Sequence, residues 1–223
     1  MSVFANLKES KQIRKISLSL MIVLLTLVAA CGGGGILPGG GSPYSSAKVG
    51  DTIQFGGLDW IVLTVENGKA LILSEKILEE RAYHSKDQDD IAWEKCSLRE
   101  FLNGSFYNST FSEQEKKWII ETRLTNRSGN NTDDRVFLLS VDEVNEYMGD
   151  NAHINMRNAK IAGGTSWWWL RSPGNSSNSA AGVSYRGTVS VYDVDGKVPV
   201  GGPLANAFIF SGGGVRPALW LNL

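Results

Sequence analysis

The chain has 223 residues, of which 42% are hydrophobic, 20% charged and 9% aromatic, with 25 Gly and 2 Cys. That apolar and aromatic content excludes a disordered or collagen-like chain, and two cysteines are too few to staple a disulfide-rich miniprotein. The balance of 22 Lys+Arg against 23 Asp+Glu, a net charge of -1, lacks the basic excess with which nucleic-acid binders meet phosphates, so no nucleic-acid partner is expected.

Lys8, Lys11, Arg14 and Lys15 stand against the single acid Glu9 in residues 1–15, and residues 16–30 are uncharged and strongly apolar. Basic followed by apolar is the layout of an export signal. The run is shorter than the roughly 20 residues a helix needs to cross a bilayer, which makes a permanent span the weaker reading. It ends at Val28-Ala29-Ala30-Cys31, which resembles a bacterial lipobox. The resemblance implies a signal peptide over residues 1–30, and lipidation of Cys31 as the mature N-terminus. An uncleaved anchor helix with an incidental cysteine is the alternative. Several acyl chains such as palmitate, joined to Cys31, anchor stably where a single chain is marginal. The expected partner is therefore a membrane, reached through those chains, and the expected location is extracytoplasmic, on the outer face of the cytoplasmic membrane or on the outer membrane.

Removing residues 1–30 takes away four basic side chains and one acid, leaving 18 Lys+Arg against 22 Asp+Glu, a surface charge that favours solubility. Residues 31–47 are glycine-rich and read as the lipidated cysteine and a flexible tether. Residues 48–223 read as one globular domain.

Within that domain, residues 59–65 form an apolar strand, and Asn67-Gly68 accepts the positive φ angles of a hairpin turn that returns residues 70–74 antiparallel. Residues 91–106 have helical spacing, with Ile91, Leu98, Phe101 and Leu102 on one side and a stop at Asn103-Gly104. Cys96 reads as a buried, inert thiol on that helix. The only histidines, His84 and His153, lie in no nucleophile motif that would activate it. Ser112 with Glu115, and Ser140 with Glu143, have capping-box spacing, predicting a second helix through Trp118 and Ile119 and a third through Met148. Residues 136–139 read as a strand.

The last third is strand-rich. Trp167, Trp169 and Arg171 alternate with Trp168 and Leu170, residues 187–194 read as a half-exposed strand, and residues 207–210 and 218–221 as further strands, the last opened by Pro217. Strands, then helices, then strands make an α+β domain of short antiparallel strands with about three short helices.

The ordered motifs FGGLDWIVL, CSLREFLNGSFY, FSEQEKKWI, DRVFLLSVDEV, WWLRSPG and GVRPALWL resemble the uncharacterised bacterial family called domain of unknown function 6273, across the folded part. The family has no established activity, so the resemblance implies a habitat outside the cytoplasm and no mechanism. A helical middle, a long loop region, a tryptophan-arginine strand and a closing glycine-x-arginine strand are also similar to C-type-lectin-like domains. That likeness concerns the scaffold, because the calcium and sugar signatures of lectins are absent.

Arg171 and Arg216 have two readings: anion clamps, since guanidinium pairs bidentately with carboxylate or phosphate, or internal ties to acids such as Asp133, Asp134 or Glu143. The internal tie is preferred. Trp167 is a candidate exposed recognition indole or a packed aromatic, and Trp168 belongs to the core. Residues 172–214 mix Asn175, Asn178, Tyr185, Arg186, Tyr192 and Asp193, the polar-aromatic composition of adaptable binding surfaces. With Trp167 and Arg171 these form the candidate ligand-binding set, for an extracellular glycan, peptide or protein. Asp193 and Asp195 read as a plain turn and Asp87, Asp89 and Asp90 as a solvated acidic cluster, so neither a metal nor another cofactor is expected. No coherent catalytic set appears, and a non-catalytic binding lipoprotein is the leading reading. A hydrolase using loop acids, or a structural envelope component, are the alternatives.

Overall fold

The computed structural model describes residues 42–86, 91–149, 153–161, 164–175, 177, 179–193 and 212–223. The chain divides into Met1–Pro43 and Tyr44–Leu223, and every element below belongs to the second unit. The expected strand at residues 207–210 and the acids Asp87, Asp89, Asp90 and Asp195 lie outside the described residues.

Strands β1 (Thr52–Phe55), β2 (Leu58–Glu66) and β3 (Lys69–Ser74) form a meander. The β2–β3 turn is the expected one: Asn67 and Gly68 take φ of 48° and 74°, the left-handed pair a two-residue hairpin requires. The C-terminal strand β14 (Ala218–Asn222) pairs antiparallel with β3, and β5 (Ile119–Ile120) pairs with β14, so the first sheet has the order β1-β2-β3-β14-β5. The second sheet joins β12 (Val189–Asp193), β11 (Ser179–Val183), β10 (Trp168–Pro173), β13 (Gly213–Val215) and β4 (Glu79–Arg81) in that order, and β6 (Thr122–Leu124) with β7 (Thr132–Asp134) and β8 (Lys160–Ile161) with β9 (Gly164–Thr165) make two short ribbons. Here the all-antiparallel expectation needs correction, because β10 and β13 run parallel. Glycine makes the approach feasible: a Cβ at Gly213 would run into the Trp167 ring, and one at Gly214 would stand 2.6 Å from the Trp167 carbonyl.

The helical middle is shorter and less regular than expected. Its first helix begins only at Ser97, as α1 (Ser97–Phe101), and continues past Asn103-Gly104 through a π turn (Leu102–Phe106) into α2 (Tyr107–Thr110). Asn103 does not end it because its side chain is otherwise engaged. Its Oδ1 accepts from the Arg135 and Val136 amides at 2.8 and 3.2 Å, and its Nδ2 donates to the Val136 carbonyl at 2.8 Å. This amide substitutes for a neighbouring strand. Residues 136–139 accordingly form no regular strand but a fully buried extended segment, bridged to β14 only at Phe137 and Ala218. Asn103→Ala leaves those backbone groups unpaired and is expected to cost about 1–3 kcal/mol in urea unfolding. A cost under about 0.5 kcal/mol would show that water takes over the amide's role.

The capping pair Ser112 and Glu115 forms, with the Glu115 amide donating to Ser112 Oγ at 3.3 Å, yet it opens only a 3-10 turn (Glu115–Lys117). Glu115 Oε1 is held by the Gly56 amide at 2.9 Å, and Ile119 is drawn into β5 against β14, so no helix propagates. Only α3 (Val141–Met148) matches its expected extent. The fold is thus α+β, mostly strand, with one main helix. Among the described residues no helix is long and apolar enough to cross a membrane.

Candidate functional site

Arg171 sits on β10, where both faces of the sheet are covered and its side chain finds partners inside. Its Nη2 donates to Glu143 Oε1 at 2.8 Å, its Nη1 donates to the Leu138 carbonyl at 2.8 Å and also meets Glu143 Oε2, and the residue is 6% exposed. Glu143 is the third residue of α3. Its Oε2 also accepts from the Ser140 amide at 2.7 Å while its own amide donates to Ser140 Oγ, completing a capping box. One carboxylate therefore caps the helix and ties its first turn to β10. The two other acids named beside it serve different arginines: Asp134, fully buried, binds Arg99 Nε at 2.6 Å and Trp93 Nε1 at 2.8 Å, and Asp133 binds Arg123.

Trp167 is 4% exposed, and its ring meets Trp169 edge-on with centroids 4.6 Å apart. Trp168 and Trp169 donate their indole N–H groups to the carbonyls of Arg157 and Arg81. The remaining candidates separate along one strand. Asn175 is exposed in the turn before β11, whereas Tyr185 (36% exposed) and Arg186 occupy the turn after it, with Arg186 Cζ 5.2 Å from the Tyr185 ring. Ser179 pairs with Asp193 and Ala180 with Tyr192, placing those backbones at the Asn175 end, while Trp168 pairs with Val183, placing Trp167 at the Tyr185 end. At about 3.3 Å per residue the five-residue strand β11 holds the two groups roughly 13 Å apart. Asn178 and the side chains of Tyr192 and Asp193 lie outside the described residues.

A concavity that the sequence did not suggest lies beside the Tyr185 end. It has a volume of about 410 Å³ and is walled by Glu75, Lys76, Asn155, Asn158, Lys160 and Arg216. It forms where the chain passes twice between the two sheets. Residues 74–79 lead from β3 to β4 and residues 213–218 from β13 to β14, joined by Ser74 N to Pro217 O at 2.9 Å and Leu78 N to Val215 O at 3.0 Å. Arg216 stands at this crossing, 1% exposed. It donates to the carbonyls of Ser74 (2.9 Å), Met156 (2.6 Å) and Glu75 (3.4 Å), with Cζ 5.0 Å from the Trp168 ring. Asn158 links the pocket to the Tyr185 turn, since a Cβ on Gly187 would stand 3.0 Å from Asn158 Oδ1. Burial pushes Arg216 down to about 9, partly offset by the Glu75 carboxylate, so it stays charged at neutral pH. Of the lining residues only Ile61 and Arg216 fell in sequence motifs. The others come from two separate stretches of the chain, residues 75–76 and 155–160, and no local pattern links them.

Cys96 caps α1 through a 3.4 Å contact from the Arg99 amide, and burial pushes its thiol up to about 12. Thiol reagents at pH 8 are expected to modify it at least about a thousandfold more slowly than free cysteine, and fully once the chain is denatured. Rapid labelling of the folded protein would contradict this burial. Among the described residues no three metal-ligating side chains cluster.

The Arg171 and Arg216 motifs, with the capping box and the closing strand, fall within a stretch that matches a known family. Residues 67–223 match the family described as a domain of unknown function (DUF6273). The chain belongs to this family. The match begins at the β2–β3 turn, so the FGGLDWIVL motif precedes it, while the two arginine ties and most of the pocket wall lie inside it. No curated protein and no solved structure matches the chain.

Proposed function

We propose that the protein is an extracytoplasmic lipoprotein, held at a membrane by acyl chains on Cys31, whose folded domain binds a glycan, peptide or partner protein without catalysing a reaction. The observation that carries the location is the order of basic segment, apolar run and Val28-Ala29-Ala30-Cys31. Binding is supported by the pocket at the crossing of the sheets and by the exposed Tyr185-Arg186 turn beside it. A C-type-lectin-like scaffold is part of the proposal. Its support is the pairing of the C-terminal strand β14 with β3, and the loop-bearing β10–β11–β12 ribbon that follows the helical middle.

The test is a glycan and peptide screen with the full chain in detergent micelles. Saturable binding, weakened about tenfold by Tyr185→Ala with an unchanged unfolding midpoint, is the expected result. Turnover of an envelope substrate, abolished by Asp193→Asn, would overturn the proposal in favour of an enzyme.

A further inference from the structure

Buried cations are ordinarily paired with an anion, because an isolated charge in a low-dielectric interior is costly. Two of the arginines that tie this fold together obey that rule: Arg171 has Glu143 and Arg99 has Asp134. Arg216 is more deeply buried than Arg171 and has only neutral carbonyls, with no ion-pair partner among the described residues. A guanidinium has five N–H donors, and three carbonyls use three of them. One donor on each terminal nitrogen is left without an acceptor among the described residues. Lys76 and Lys160, both exposed on the same wall, also make no ion pair with a described residue. Three cations therefore face one carboxylate, Glu75.

We propose that this pocket is an anion site that takes the carboxylate or phosphate group of a small polar ligand against Arg216, with Lys76 and Lys160 drawing the charge in. Its volume is in the range of small-molecule sites, and Asn155 and Asn158 provide amides for hydroxyl groups on the body of the ligand. Glu75 beside the guanidinium disfavours a highly charged anion, so the ligand carries one anionic group. This rests on the reading of the domain as a ligand binder and is independent of the lipid anchor.

Calorimetric titration of the full chain in detergent micelles, at constant ionic strength, tests it with sodium galacturonate, sodium acetate, inorganic phosphate and neutral galactose as probes. Saturable binding of galacturonate, acetate or phosphate is expected, with none of galactose, and the tighter arm identifies carboxylate or phosphate as the group recognised. Because an Arg216 variant also loses the ties between the sheets, the decisive variant is Lys76→Gln with Lys160→Gln. It should raise Kd about tenfold without moving the unfolding midpoint, while Lys48→Gln leaves Kd unchanged. Non-saturating effects equal for every salt, or a Kd indifferent to the double substitution, would overturn the site. A glycan or peptide whose binding survives the double substitution, with no anion bound, removes the anion site and leaves the binding reading standing. Failure of both anion and screen removes both.

Discussion

Arg171→Ala is expected to destabilise the domain by about 3–5 kcal/mol, the cost of leaving one member of a buried ion pair without its partner. The substitution strands Glu143, frees the Leu138 carbonyl and loosens the first turn of α3, since the same carboxylate serves the capping box. It also opens space beside Phe137, over whose ring the guanidinium lies at 5.7 Å. Glu143→Gln keeps the shape but leaves Arg171 without its anion and turns one accepting oxygen into an amide donor facing N–H groups, so it is expected to cost about as much. Combining Arg171→Ala with Glu143→Gln should cost less than the two singles together, the signature of residues that act as a pair. Urea unfolding of the four proteins measures all of this. A loss below about 1 kcal/mol for Arg171→Ala would show that the pair is not part of what holds β10 to α3.

Cys31→Ser should reduce incorporation of radiolabelled palmitate to background. Each buried methylene contributes about 0.8 kcal/mol to membrane affinity, so several acyl chains anchor stably where one chain is marginal. The wild-type chain is therefore expected in the detergent-rich phase of a phase separation, carrying label. The serine variant has no thiol to accept the diacylglyceryl group as a thioether and must appear unlabelled, even if the apolar run of residues 16–30 keeps part of it with the membrane. Label that persists in the variant would place the acylation elsewhere. Cys96 is a poor alternative site, because it is buried and its thiol is pushed up to about 12.

Features decided by neighbouring residues were legible in the sequence. Asn67-Gly68 needs nothing but its own backbone preferences to turn the chain, and Ser140 with Glu143 needs only one helical turn, so the hairpin and α3 appear where expected. Where a distant partner intervened, local reading failed. Ser112 and Glu115 form their hydrogen bonds, yet β14 claims Ile119 for a strand before a helix can extend. Asn103, a local stop signal, instead clasps Val136, 33 residues away, and the helix widens around it. The spatial arrangement of the candidate binding residues was the least legible. Of the eight residues chosen for their chemistry, Trp167 and Arg171 are turned inward, and the register sends Asn175 to one end of β11 and Tyr185 and Arg186 to the other; register is invisible in composition. The pocket escaped notice because its walls span Ile61 to Arg216 and exist only where both sheet crossings lie side by side.

The intact mass of the protein extracted from membranes tests the lipoprotein reading most directly. A chain that starts at Cys31, lacks residues 1–30 and carries the added mass of several acyl chains is the expected result. A chain that retains Met1, or one whose Cys31 is a free thiol, would contradict it.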